Sequence, residues 1–263
     1  MCQNHKIYIK LLLCTFIFGA QSLVCKAQSP SVDEEQGKRH AFLFPIGLSA
    51  AIPEGDLKAQ YGSFGILNIG VFYRTKNNWL FGTDFNFFFG SNVKINPLSD
   101  LYISNNNMIG NDGLPSNVTR SFRGLLSPTI KVGKVFPKPI GKKADENSGI
   151  AVILGAGYMG HKIRYADESR NIPILQSDVV KGYDRLSTGL GLQQTLSYLY
   201  LSKSRTVNFT IALDFYQGFT QNRRVNYDLR STLPANRLDL MYAIRIGWVL
   251  PVYGQRANEF YYY

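Results

Sequence analysis

The sequence is poor in the residues that cross-link or metallate a soluble fold. Its three cysteines, Cys2, Cys14 and Cys25, all precede residue 26, which denies the rest of the chain a disulfide framework and a thiolate zinc site. Histidine is nearly as scarce, with only His40 and His161 beyond His5. No Gly-x-Ser-x-Gly elbow and no glycine-rich phosphate loop occurs, which removes two common hydrolase and nucleotide signatures. Past residue 25 there is no apolar run near the ~20 residues that a membrane-spanning helix needs. Acidic residues are outnumbered, 18 against 29 basic ones.

What is present begins with an export pattern. Lys6 and Lys10 open the chain, residues 11–24 are apolar, and Cys25-Lys26-Ala27 sets small residues three and one positions before a cut ahead of Gln28. This predicts a cleavable signal over residues 1–27 and a flexible periplasmic leader over 28–40. Lipidation is disfavoured, because Val24 and Leu13, and not small residues, precede Cys25 and Cys14. The signal carries three lysines and no acid, so about +8 of the whole-chain +11 remains on the exported part. Such basicity would suit a nucleic-acid binder. The basic residues are scattered through loops and turns, however, and the chain is exported, so no nucleic-acid partner is expected.

The remainder alternates. Segments of about ten residues repeat in which every second residue is apolar, the signature of strands that separate two unlike faces. Eight are predicted, over residues 41–52, 64–74, 79–90, 119–136, 150–165, 185–200, 206–220 and 238–253. The third is the clearest, with Trp79, Phe81, Phe85, Phe87 and Phe89 on one face and Gly82, Asp84, Asn86 and Gly90 on the other. In the fourth, Leu126, Ile130, Val132 and Phe136 are assigned to the apolar face, and Arg123, Ser127, Thr129, Lys131 and Gly133 to the polar one, with Pro128 suggesting a bulge or a missing ladder bond. A soluble sandwich would show the same period, with the apolar face buried.

The connections separate the two possibilities. Links 53–63, 91–118, 166–181 and 221–237 are long, whereas 76–78 and 201–205 are tight and 137–148 intermediate. Long and short links alternate as in an outer-membrane barrel. The 17 Phe and 16 Tyr suit aromatic belts at two membrane interfaces. The expected fold is therefore all-β: a closed, antiparallel, up-and-down transmembrane β-barrel of eight strands over residues 41–253, with periplasmic termini and long extracellular loops. Ten strands remain open, because Leu101-Tyr102-Ile103-Ser104 within the longest link could extend a strand or form a hairpin.

Four inward charges lie at matching heights on neighbouring strands, Asp84 with Lys131 and Asp214 with Arg245. They are expected to form lumen ion pairs that plug the barrel and carry no ions. Glycines such as Gly155 and Gly157 would relieve crowding inside so narrow a wall.

The strand count, export signal, loop asymmetry and aromatic-rich last strand resemble the small outer-membrane barrels of the OmpA transmembrane or OmpX type. The Lys-Ala-Gln cleavage region and the tyrosine-rich end are similar to Bacteroidota members of that group, the PorT-like barrels. That resemblance implies an accessory role in a secretion or envelope assembly, with outer-membrane lipid and envelope proteins as partners and no cofactor. Loop 91–118 and a tail over 254–263 ending in Phe260, Tyr261, Tyr262 and Tyr263 are the expected partner surfaces. A second reading is a lipid-modifying barrel enzyme using His161 with a serine from another strand, such as Ser187. A third is a narrow channel or ligand carrier, which the inward Phe72, Met159 and Tyr216 oppose.

Overall fold

The computed structural model describes residues 40–104, 106–141, 144–167, 172–202, 207–230 and 236–253. The expected signal, all of the leader except His40, and the tail 254–263 lie outside the described residues. The elements are β1 (Ala41–Gly55), α1 (Asp56–Gln60), β2 (Phe64–Arg74), β3 (Trp79–Gly90), β4 (Asn107–Ile109), β5 (Pro115–Pro137), β6 (Gly149–Asp167), α2 (Pro173–Gln176), β7 (Ser187–Tyr200), β8 (Phe209–Asn222) and β9 (Arg237–Tyr253). Short 3-10 turns occupy Ser99–Leu101 and Asp178–Gly182.

All strand pairs are antiparallel. Sequential neighbours pair from β5 to β9, β1 pairs β2 and β2 pairs β3, while β3–β5 and β1–β9 complete the ring. Eight strands thus close a barrel, and β4 stands outside it as a short third strand on the upper part of β5. Ala41 lies opposite Tyr253, so both described termini leave from one end. That end also holds the tight β2–β3 turn, where Asn78 adopts φ 65, a conformation that asparagine tolerates better than most residues. The long links collect at the other end.

Because strand side chains alternate between faces, the apolar half of each strand must point either into the ring or away from it. It points away. Ile52, Ile130, Leu213, Ile244 and Ile246 are all exposed, Ile130 to 81 %. The inward half is small, polar or aromatic and is buried, as with Ser49, Asn68, Asp84, Asn86, Gln193 and Asp214.

β5 departs from the expected faces. Its register shifts between Leu126 and Thr129 against both β3 and β6, so Ser127 and Pro128 together face single residues on either side. One extra residue reverses the alternation. Below the bulge Thr129, Lys131, Gly133 and Val135 point inward; above it Phe122 and Leu126 do. Leu126 is therefore buried in the lumen and Arg123 lies on the outer wall, the reverse of the sequence expectation. Pro128 marks the bulge in the sequence, but nothing in residues 119–126 shows the reversal above it.

Some strand ends also shift. β5 starts four residues earlier than expected, inside the longest link, and β8 starts at Phe209. Leu101-Tyr102-Ile103-Ser104 adds no barrel strand: it follows the Ser99–Leu101 turn, and Ser104 bridges to Asn107 at the start of β4.

Candidate functional site: a filled lumen beneath an ordered loop crown

The middle of the lumen is one hydrogen-bonded network. Ser49 Oγ donates to Asn68 Oδ1 at 2.6 Å, and Asn68 Nδ2 donates to Asn86 Oδ1 at 2.5 Å. Asn86 Nδ2 reaches Asp84 Oδ1 at 2.9 Å and Gln193 Oε1 at 3.4 Å. Asp84 accepts from Thr129 Oγ1 and from Lys131 Nζ. Gln193 Nε2 donates to Asp214 Oδ1 at 3.0 Å and to Tyr216 Oη at 3.2 Å. Arg245 Nη2 lies 3.2 Å from Asp214 Oδ1. The structure thus brings Asp84 to Lys131 and Asp214 to Arg245, and joins the two pairs through Asn86 and Gln193.

Seven of the eight barrel strands supply a side chain to this network. β6 instead supplies space. A Cβ built on Gly155 would lie 2.8 Å from Lys131 Cγ, and one on Gly157 would lie 2.5 Å from the Pro128 carbonyl oxygen. Such separations are too short for a side chain, so glycine there lets the lysine stem cross the lumen. Buried charges cost several kcal/mol each unless paired and hydrogen-bonded, which is why the two pairs come with polar neighbours.

Above the network the lumen is closed by apolar packing. Tyr61, Phe64, Phe88, Phe122, Leu126 and Met159 form part of one buried cluster, with the Phe122 ring 4.3 Å from Tyr61 and 4.6 Å from Phe64. Tyr61 and Leu57 are brought there by α1 and the residue that follows it. Burial pushes the Tyr61 phenol well above its ordinary range. Below the network a second cluster, including Leu43, Phe72, Leu80 and Val249, surrounds a cavity of about 60 Å³. That space is the size of a few waters and too small for an organic ligand.

His161 sits at the edge of the upper plug, fully buried, with Nε2 2.9 Å from Asp239 Oδ2. Asp239 also accepts from Thr220 Oγ1, and from Arg237 Nη2 at 3.2 Å. Ser187 is the register partner of His161 across β6 and β7, yet its hydroxyl donates to the Arg185 carbonyl at 3.3 Å. His161 Nδ1 has no hydrogen-bond partner. An acid–histidine pair is present and a serine is adjacent, but no hydrogen bond joins the histidine to the serine. The group faces the packed lumen and is shut off from the lipid side.

The described residues of the outer crown are held by strand pairing. β5 and β6 continue pairing to Val118 and Asp167, beyond the last β3 and β7 partners at Gly90 and Ser187. β4 adds a third strand through a turn in which Gly113 has φ 76 and Asp112 Oδ1 accepts the Leu114 N–H at 3.1 Å. Asn111-Asp112-Gly113 is thus turn chemistry. Leu98, Met108, Val118 and Ile172 form a small core of their own, with Tyr102, Ile174 and Tyr183 packed against it. Near it, burial pushes the Asp184 carboxyl up against the opposing pull of Arg224.

The outer wall completes the picture. Aromatics ring the lower end, where Trp79 and Phe81 are 6.4 Å apart, Phe42 and Tyr73 5.2 Å, and Tyr200 and Phe209 4.7 Å. Lys134 Nζ lies 5.3 Å from the Trp79 ring. An even-stranded closed barrel with an apolar outer band, an aromatic girdle, short turns at one end and long loops at the other is the form that bacterial outer membranes accept. The chain is a bacterial outer-membrane β-barrel.

No protein-family model and no curated protein sequence matches the chain. Among solved structures it is similar to Ail, the attachment invasion locus protein of Yersinia pestis, at 11 % identity over 81 % of this chain and 99 % of that one, with a TM-score of 0.40. It is also similar to Neisserial surface protein A, at 13 % identity over 79 % and 96 % and a TM-score of 0.38. OprG from Pseudomonas aeruginosa matches at 13 % identity over 81 % and 96 %, with a TM-score of 0.33.

Sequence reasoning identified the four charges and the inward aromatics. The alternation also puts Asn68, Asn86 and Gln193 on inner faces, but it does not show them as the links of a network. The available signal was their shared register: Asn68 lies opposite Asn86, and Thr195 opposite Asp214.

Proposed function

We propose that the protein acts through its loops and outer surface, as an integral barrel of structural or interaction type, and does not conduct or carry ligands through its lumen. The observation behind this is the continuous lumen network between two apolar plugs. The crown supports a contact role: Leu101, Ile103 and Ile109 leave apolar surface exposed around a hollow of about 360 Å³ that Ile172 and Ile174 also line. The part of loop 91–118 that projects above the barrel is one partner surface. The tail residues Phe260, Tyr261, Tyr262 and Tyr263 are the other, and the accessory role in a secretion or envelope assembly, of PorT-like kind, rests on the sequence resemblance.

We assign His161 a packing role in place of a catalytic one, because its ring lies 5.8 Å from Tyr61 and 5.9 Å from Phe122 of the upper plug and its Nε2 is held by the buried Asp239. Two measurements test the reading. In planar bilayers the purified barrel is expected to produce no conductance steps; regular openings would return the channel reading. Affinity purification from solubilised outer membrane is expected to recover envelope proteins that are lost when the chain is truncated after Tyr253. Recovery of none with either form would sink the accessory role.

A further inference from the structure

The outer wall of the barrel is nearly free of charge, and what charge it has is concentrated. Among the described outward positions of the eight barrel strands, the only acid is Glu54 at the upper end of β1, and it is bonded to Lys58 at 2.9 Å. The basic residues are Lys134 at the lower end, and Arg123, Lys162 and Arg164 at the upper end of β5 and β6. Arg123 lies opposite Lys162, and Arg164 opposite Ser121 one row further up. Arg123 reaches this wall only because the Ser127-Pro128 bulge reverses the faces of upper β5.

We infer that Arg123, Lys162 and Arg164 form a binding site for the phosphorylated headgroup of an outer-leaflet lipid. Three observations carry this. The first is height. Strands rise about 3.3 Å per residue and tilt by about 40°, so Lys162, twelve positions along β6 from the exposed Ile150 at the lower rim, stands about 30 Å above it. That is just beyond an apolar band of about 25 Å, where headgroups lie. The second is continuity. Beneath the three cations the wall presents Leu125, Phe87 and Tyr158, and Phe89 lies beside Arg123, so one molecule carrying both acyl chains and phosphate can meet both surfaces.

The third is the cations' own bonding. Arg123 Nε is buried without a hydrogen-bond partner among the described residues, and none of those residues forms a side-chain ion pair with Arg123, Lys162 or Arg164. Asp184, the carboxylate whose charge Lys162 feels, is itself bonded by Arg224. Arg223 extends the basic row across β7 and β8, where its Nε donates to Thr188 Oγ1 at 2.8 Å. A lipid is favoured over a free anion because Arg123 and Lys162 stand on the outward wall at the top of its apolar band, with Arg164 one row higher on the same outward face. Guanidinium groups match phosphate geometry through two parallel hydrogen bonds.

The test uses the full-length mature barrel in nanodiscs of phosphatidylcholine containing a minor fraction of diphosphorylated lipid A, with retained lipids identified by native mass spectrometry. Wild-type protein is expected to retain lipid A in preference to phosphatidylcholine. The preference is expected to fall about fivefold for each of Arg123→Ala, Lys162→Ala and Arg164→Ala, and about a hundredfold for the triple variant. Lys134→Ala, at the opposite rim, is expected to leave it unchanged, and heat-modifiable migration on gels checks that every variant is folded. Equal lipid A retention by the folded triple variant would overturn the proposal. Displacement of the lipid by inorganic phosphate would overturn it as well, since the site would then be one for a soluble anion.

Discussion

At the residue scale, the lumen is decided by a few polar side chains that cannot be left alone. Lys131 and Asp84 are both almost wholly buried, so removing either strands a charge in a medium of low polarisability. Lys131→Met is expected to lower unfolding free energy by about 3–5 kcal/mol, and adding Asp84→Leu to recover most of that loss, because an apolar pair of similar volume is often no worse than a buried ion pair. Urea titration in detergent micelles measures both. A double variant less stable than the single would show that the charges contribute more than mutual neutralisation. The sequence made these four charges visible, since an acid or a base on the polar face of an alternating strand has nowhere to go but inward. It did not reveal which amides would bridge them. Asn86 and Gln193 sit on strands that are not neighbours, and their meeting depends on the curvature of the closed ring.

At the element scale, β5 shows why alternation is a local signal. Residues 129–136 alternate with their apolar side chains outward, and the same alternation carried up through 119–126 would put Phe122 and Leu126 on that outward face. The faces invert between them because Ser127 and Pro128 occupy the place of one residue. The inversion brings Leu126 and Phe122 into the upper plug and turns Arg123 outward. Deleting Pro128 would restore an unbroken register and send either the plug residues or Lys131 to the lipid side. The variant is expected to lose the folded, heat-modifiable form, as followed by gel mobility after membrane extraction; a normally folded deletion would mean that the bulge has no part in setting the faces. The β4–β5–β6 extension was also only partly legible. Asn111-Asp112-Gly113 has the composition of a turn, but a strand of three residues lies below what alternation can register.

At the scale of the whole molecule, the strand count, the alternation of long and short links and the outward apolar face could all be read from the sequence, because the membrane imposes them on every barrel. Closure follows from the same constraint, whereas the registers of the β1–β9 and β3–β5 pairings could not be read, since they are set by the ring. The resulting molecule is a cylinder whose lumen is crossed by a hydrogen-bonded network and capped by apolar packing, with a crown above and a basic rim on one side of the wall. Its possibilities for contact lie at the crown and the rim.

The most direct test of this account uses the lack of cysteine beyond residue 25. Single cysteines are introduced at Gly113 in the crown, Asn77 in the lower turn and Ser49 in the lumen, and each is probed with a membrane-impermeant maleimide on intact cells and again after the outer membrane is breached. Gly113→Cys is expected to react on intact cells, Asn77→Cys only after breaching, and Ser49→Cys under neither condition while the barrel remains folded. Labelling of Ser49→Cys in the folded protein would show an open lumen, and labelling of Asn77→Cys from outside would invert the topology. Either result would contradict a plugged barrel that presents its loops to the exterior.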